Sequence, residues 1–174
     1  MLPGLSFLIL PYTRAELPGW GKLMKLAGVW SPRLKNSWSK LPPVVLRGKT
    51  HKYLMTLDLS DWAQRRTYFT GRYYELEVLS VLDILLRQGD SFVDIGANFG
   101  MITLHARSLV GGSGTIDCFE PNLECVAAIK NQLVMNDITN CTVHPCALAE
   151  AAGTSNLSLT SEHSGTATLT SVGD

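Results

Sequence analysis

The run Asp94-Ile95-Gly96-Ala97-Asn98-Phe99-Gly100 has the residue types of a turn that holds a ligand. The apolar stretch Phe92 to Ile95 precedes it as a short strand, and a helical pattern follows from about Asn98 to Val110. Ligands of parallel α/β sheets sit in the crevice at the strand ends. Gly96 lets the backbone turn tightly there, and at Gly96 or Gly100 a side chain would block close approach of a ligand. Twenty residues beyond Gly100, Glu120 closes a second apolar strand. A carboxylate in that place can accept from both hydroxyls of a ribose, at roughly 1.5–3 kcal/mol for a charged acceptor. A glycine turn with a strand-end carboxylate points to an adenosine-containing ligand.

The spacing narrows the choice. A dinucleotide site uses G-x-G-x-x-G, whose middle glycine admits a pyrophosphate to the helix N-terminus. This chain has D-x-G-x-x-x-G instead, with Ala97 and Asn98 where further glycines would fall. Asp94 just inside the turn would repel a pyrophosphate and suits a cationic ligand, such as the ammonium and sulfonium of S-adenosylmethionine. An NAD-linked oxidoreductase is the alternative built on the same strand–turn–helix, and the missing glycines count against it. The chain resembles the FkbM-type S-adenosylmethionine-dependent methyltransferases in FVDIGANFG (92–100), FEPN (119–122), the Asn131/Asn136 region, CALAE (146–150) and SGTATL (164–169). LDLSDW (57–62) and GRYYELEVL (71–79) are similar to that family's lead-in, so the resemblance covers about residues 53–172.

The resemblance implies a class I methyltransferase fold, Rossmann-like, and O-methylation of a small molecule or a sugar hydroxyl. It implies that Asp94, Gly96, Ala97, Asn98 and Gly100 hold the methionine end of the donor. Glu120, flanked by Pro121 and Asn122, would take the ribose, and Cys146 to Leu148 would approach the adenine. Relatives often carry an acidic residue beside the adenine amine, where this chain has Ala147. Glu75 could reach the cofactor from the lead-in helix or stand solvated at the helix start. The family continues with a further strand bearing an IKIDVEG-like motif that this sequence lacks. The sequence is therefore expected to be incomplete at its C-terminus. On that view it is a donor-binding fragment without catalysis of its own. Otherwise the tail hairpin or the front strand must cover the first strand's edge.

The elements that position these residues read as α/β. Thr115 to Phe119 is a second strand, and Pro121 and Asn122 open a helix with Leu123, Val126, Ile129 and Leu133 on its inner stripe. Cys141 to Pro145 is a third strand, giving strand–helix–strand–helix–strand and a parallel sheet. Leu76, Leu79, Leu82 and Leu86 mark a helix over Glu75 to Gln88, with Gly89 as its stop. Residues 51–59 read as a strand with Tyr53, Met55, Leu57 and Leu59 on one face, and Asp61 as the cap of a helical turn through Arg65. Alternation at Leu157 and Leu159, and from Thr166 to Thr170, suggests a hairpin around Ser161 to Gly165. This gives three segments: 1–50, a lead-in over 51–90 and the ligand-binding part over 91–174.

The first fifty residues hold prolines at 3, 11, 18, 32, 42 and 43, which forbid long helices or central strands. Trp20, Leu23, Met24, Ala27 and Trp30 fall at helical spacing beside Lys22 and Lys25. Such a stripe packs on its own domain or lies on a membrane surface through residues 20–30. The net charge of zero hides eleven Lys/Arg against three Asp/Glu in residues 1–70 and four against twelve in 71–174, +8 and −8. The basic front either docks on the acidic back or touches something anionic. A nucleic-acid partner is disfavoured, because the basic segment is broken by proline and shows no aromatic RNA-binding motif.

At 45% hydrophobic and 17% charged the composition is globular, and no apolar run approaches the ~20 residues of a membrane helix. A soluble, cytoplasmic protein is the simplest expectation. Cys118, Cys125, Cys141 and Cys146 lack metal-site spacing and read as reduced core or near-core residues, and no metal site is expected. Among the histidines, His144 reads as a hydrogen-bonded imidazole of the core strand, His105 lies mid-helix and His163 in a loop. None is a convincing base, so no catalytic residue is assigned.

Overall fold

A computed structural model describes residues 3–31, 35–158 and 168–171 of the chain. It divides into two units, Met1–Thr50 with Leu54–Tyr74, and His51–Tyr53 with Glu75–Asp174. The break falls between Tyr74 and Glu75, inside the segment read from the sequence as one lead-in. The strand of that segment goes to the first unit and its helix to the second.

Prolines keep the helices of the first unit short: α1 Pro3–Ser6, a 3-10 turn Phe7–Ile9, α2 Leu10–Arg14, α3 Trp20–Leu26 and α4 Lys35–Trp38. Pro11 occupies the first turn of α2, where no intrahelical N–H is needed. Strand β1 (Val44–Arg47) pairs antiparallel with β2 (Leu54–Leu57), Val44 opposite Leu57. Helix α5 (Trp62–Thr70) follows. Met24, Ala27, Val29, Trp38, Leu59 and Phe69 form the buried core, with Trp20 and Trp30 packed against it. The tryptophan stripe therefore faces its own unit, and Lys22, Lys25 and Leu26 lie outward.

Asp61 caps α5 by accepting from the Gln64 N–H at 2.9 Å, as expected. The helix runs past the expected Arg65 to Thr70 and stops at Gly71, left-handed at φ 77°. Its second half was hidden because its inner face is polar. Arg65, wholly buried, donates to the carbonyls of Leu59 at 2.6 Å, Val29 at 2.7 Å, Ser60 at 3.2 Å and Ser31 at 3.4 Å. Its guanidinium lies 5.3 Å from the Trp38 ring. Burial pushes Arg65 down to about 10, yet it remains charged at neutral pH.

The second unit begins with α6 (Leu76–Leu85) and continues β3 (Ser91–Ile95), α7 (Met101–Val110), β4 (Thr115–Phe119), α8 (Leu123–Met135) and β5 (Cys141–His144). The strands form a parallel sheet in the order β3-β4-β5, with Ile95 opposite Phe119 and Phe119 opposite His144. This is the Rossmann-like α/β arrangement expected. Ala106 and Val110 of α7 pack on Ile116, joined by Phe92, Cys141 and Leu86. Helix α6 ends three residues before the expected Gln88 because Leu86 turns extended, at ψ 141°, and joins that cluster. Leu123, expected on the inner stripe of α8, is 71% exposed, since it opens the helix before the stripe of Val126, Ile129 and Leu133 meets the core.

Strands β6 (Ser155–Ser158) and β7 (Thr168–Ser171) pair antiparallel as the expected hairpin. Leu159, the loop at Ser161 to Gly165 and His163 lie outside the described residues. The hairpin and the β1–β2 pair each form a separate sheet, so among the described residues no strand pairs with the free edge of β3. Among the described residues one face of the parallel sheet is covered: Asp94 and Cys118 are buried, while Ile95 on the other face is 66% exposed. Among the described residues no helix is long and apolar enough to cross a membrane.

Candidate functional site

The turn after β3 contains three left-handed residues in five, Gly96 and Gly100 at φ 76° and Asn98 at φ 50°. Asparagine is the side chain that tolerates this conformation best after glycine, so Ala97-Asn98 can stand where a second glycine was absent. The Gly96 and Ala97 N–H groups donate to the Phe119 carbonyl at 2.9 and 3.1 Å, fastening the turn to the end of β4.

Glu120 sits at that junction, 6% exposed. One carboxylate oxygen accepts the Asn98 N–H at 2.7 Å and the other the Asn122 N–H at 2.8 Å. The side chain thus holds the glycine turn and the FEPN loop together, and each oxygen retains a lone pair. Asp94, also 6% exposed, accepts from the Thr103 hydroxyl of α7 at 2.6 Å. Burial raises the Asp94 carboxyl above its ordinary range; the Thr103 hydrogen bonds oppose this and the Glu120 charge adds to it. Two buried carboxylates thus stand at the ends of adjacent parallel strands on either side of one turn.

The two glycines differ. A methyl group on Gly96 would meet nothing within 4 Å, so its backbone is open to a close approach. A methyl group on Gly100 would stand 3.1 Å from Ile129, so the lack of a side chain there also admits α8 against the start of α7. The Asn122 side chain accepts the Glu124 N–H at 3.0 Å and caps α8, and the Asn98 side chain accepts from Cys125 at 3.4 Å. Pro121 is half-buried between Glu120 and this cap, and Ala147 is half-buried beyond β5. The structure brings Asp94, the turn, Glu120 and Asn122 together. Glu75 stands at the N-terminus of α6, where its side chain makes no capping bond.

Thr103 escaped the sequence reading, although a hydroxyl at a buried helix position must find an acceptor. His144 differs from the expected core imidazole. It is half-exposed on the uncovered sheet face, bonded to Asp117 at 2.7 Å and stacked on Phe119 at 4.4 Å between centroids. Parallel strands turn alternate residues to opposite faces, and His144 falls on the same face as the exposed Ile95, away from α7. Cys146 is exposed, in contrast to the near-core place expected, because the chain has already left β5. His105 is buried on α7 and bonded to Asp83 of α6 at 2.8 Å.

An open backbone turn flanked by two buried acids favours a ligand bearing positive charge and hydroxyl donors over one bearing phosphates. Fold and site thus define a parallel α/β domain with two buried carboxylates and an open glycine turn at its strand ends. No protein-family profile matches the chain. No curated protein matches it either. Solved structures similar to it include a candidate rRNA methylase from Clostridium thermocellum, 24% identical with TM-score 0.39, aligned over 41% of this chain and 40% of that one. Another is a SAM-dependent O-methyltransferase from Thermotoga maritima, 22% identical with TM-score 0.38, over 41% of this chain and 28% of that one. The chain therefore spans less than half the length of these structures, and the functional reading rests on the site.

Proposed function

We propose that the chain binds S-adenosylmethionine at the β3–β4 strand ends and serves methyl transfer of the FkbM type, to a hydroxyl of a small molecule or sugar. The observation that carries this reading is the pair Asp94 and Glu120, both buried, on either side of a turn whose Gly96 is open. Gly96 and Ala97 would line the methionine end with backbone alone. Asp94 would face the donor's positive charge, which offsets the cost of keeping that carboxylate ionised in a buried place. Glu120 would accept the ribose hydroxyls on its remaining lone pairs, already oriented by the Asn98 and Asn122 N–H groups. Ala147 leaves the adenine amine to backbone contacts.

When bound, the donor supplies a methyl group on a positively charged sulfur, which an acceptor oxygen displaces in line. The chain's part in such a displacement is to hold the two partners about 3–3.5 Å apart and to exclude water. Calorimetric titration with S-adenosylhomocysteine tests the site without an acceptor. Micromolar binding that Glu120→Ala abolishes is the expected result. Absence of binding by the folded chain, or tight binding of NAD instead, would overturn it.

A further inference from the structure

Arg66 stands apart from the other arginines of the first unit. It lies one turn beyond Trp62 on the same face of α5, and the chain reverses at Gly71 to bring Tyr74 back beside both. Its guanidinium carbon is 5.1 Å from the Tyr74 ring centre, 5.3 Å from Trp30 and 5.7 Å from Trp62. Trp62 and Tyr74 meet edge to face at 5.3 Å, so the walls of this enclosure support one another. All four residues are half-buried, so the enclosure opens to the surface.

Three rings surround the guanidinium and shield it in part from water, yet among the described residues no carboxylate pairs with it. The unit's acids are used elsewhere: Glu16 pairs with Arg72 and Lys49, Asp58 accepts from Ser60, and Asp61 caps α5. The buried Arg66 Nε and the buried Trp30 Nε1 have no acceptor among the described residues. Cation–π contact would hold the ring cluster together. It supplies no acceptor to these buried N–H groups, and the Arg66 Nη groups, which are not in that buried set, are the donors an external acceptor can reach. Residues 1–70 moreover carry eleven basic side chains against three acidic ones, a field that favours a doubly charged anion over a singly charged one.

We propose that Arg66, framed by Trp30, Trp62 and Tyr74, is a binding site for a phosphate group, either of a soluble phosphorylated molecule or of a lipid headgroup. The planar fork of a guanidinium matches two phosphate oxygens at once, which a lysine cannot do. The site is independent of the methyltransferase reading, since all four residues belong to the first unit.

The test is titration of the full chain, labelled with 15N-arginine, with inorganic phosphate against sodium chloride at equal ionic strength. The expected result is a saturable shift of one arginine Nε–H resonance and a tryptophan-fluorescence change with the same midpoint. Both should vanish in Arg66→Met, and Arg66→Lys should bind about tenfold more weakly or less. Circular dichroism checks the fold of each variant. Should Arg66→Met not fold, the lysine variant and the wild-type titration decide alone. Sedimentation with phosphatidylcholine vesicles carrying phosphatidic acid separates the sources: cosedimentation displaced by free phosphate identifies a headgroup, and its absence beside a positive titration identifies a soluble ligand. No shift beyond that of chloride, an equal response to acetate, or a response retained without Arg66 would overturn the proposal.

Discussion

Gly96 and Gly100 share a left-handed backbone but differ in what a methyl group would meet, and the difference separates binding from stability. Alanine at either position carries about 1–2 kcal/mol of backbone strain. At Gly100 the contact with Ile129 at 3.1 Å adds an overpacking cost of about 1–3 kcal/mol. Gly100→Ala should therefore lower the urea midpoint clearly more than Gly96→Ala does. Gly96→Ala should lose more S-adenosylhomocysteine affinity, because only its methyl group projects into open space. Asp94 gives a second prediction. Its carboxyl is raised by burial, so the folded state takes up a proton at a pH where the unfolded chain does not. The resulting penalty is full at neutral pH and lifts as pH falls through the raised value. Asp94→Asn keeps an acceptor for Thr103 and removes the charge. Urea unfolding should show it at least as stable as wild type at pH 7, with the advantage shrinking on acidification. S-adenosylhomocysteine binding should weaken throughout. The motif residues were legible because their types are constrained by backbone geometry and charge. Thr103 and the N–H partners of Glu120 were not, because they depend on which helix crosses which strand end.

At the level of elements, legibility followed the source of each element's stability. Strand β4 was read at its observed bounds, Thr115 to Phe119, since an apolar run between glycines and a proline has few alternatives. Helix α5 was cut short at Arg65 because Gln64, Arg65, Thr67 and Thr70 are all buried, and a polar inner face leaves no apolar stripe to count. The β1–β2 pairing was missed on one side because Pro42 and Pro43 directly precede β1. The ends of α2 and α5 are also joined by charge. Glu16 accepts from Arg72 at 2.6 and 3.0 Å and from Lys49 at 2.6 Å. The Arg72 bonds above all hold the Glu16 carboxyl down at about 2, against the opposing effect of burial and with help from Lys49. A depressed folded value means stability that is present above the ordinary 4.5 and lost as pH falls toward 2. Glu16→Gln should flatten the acid limb of the wild-type pH–stability curve in that window, measured by tryptophan fluorescence in urea. An unchanged limb would mean that the network is fully screened by water.

For the whole molecule, the opposite charges of the two halves and the one-sided sheet are the features with consequences beyond any single site. The basic excess is carried by a unit that consumes its few acids internally, which makes Arg66 the place where an external anion is favoured. The acidic part contains the parallel sheet, with β3 at its edge and Val93 and Ile95 exposed on the uncovered face. An apolar strand edge of this kind is a template for another strand, and a second copy of the chain offers the same edge. A two-fold pairing of β3 with β3 would extend the sheet from three strands to six and cover Val93 on both copies. The expected behaviour is a weight-average mass in sedimentation equilibrium that rises with concentration over roughly 10–100 µM. Val93→Lys places a charge in the middle of that strand, on the exposed face and clear of the Gly96 turn. It should hold the chain monomeric over the same range with an unchanged circular dichroism spectrum and unchanged S-adenosylhomocysteine affinity. A wild-type chain that stays monomeric throughout would show that charge repulsion between the acidic units outweighs the strand pairing. In that case raising the salt concentration, which screens the repulsion within about 10 Å at 0.1 M, should restore the association in wild type and leave Val93→Lys monomeric.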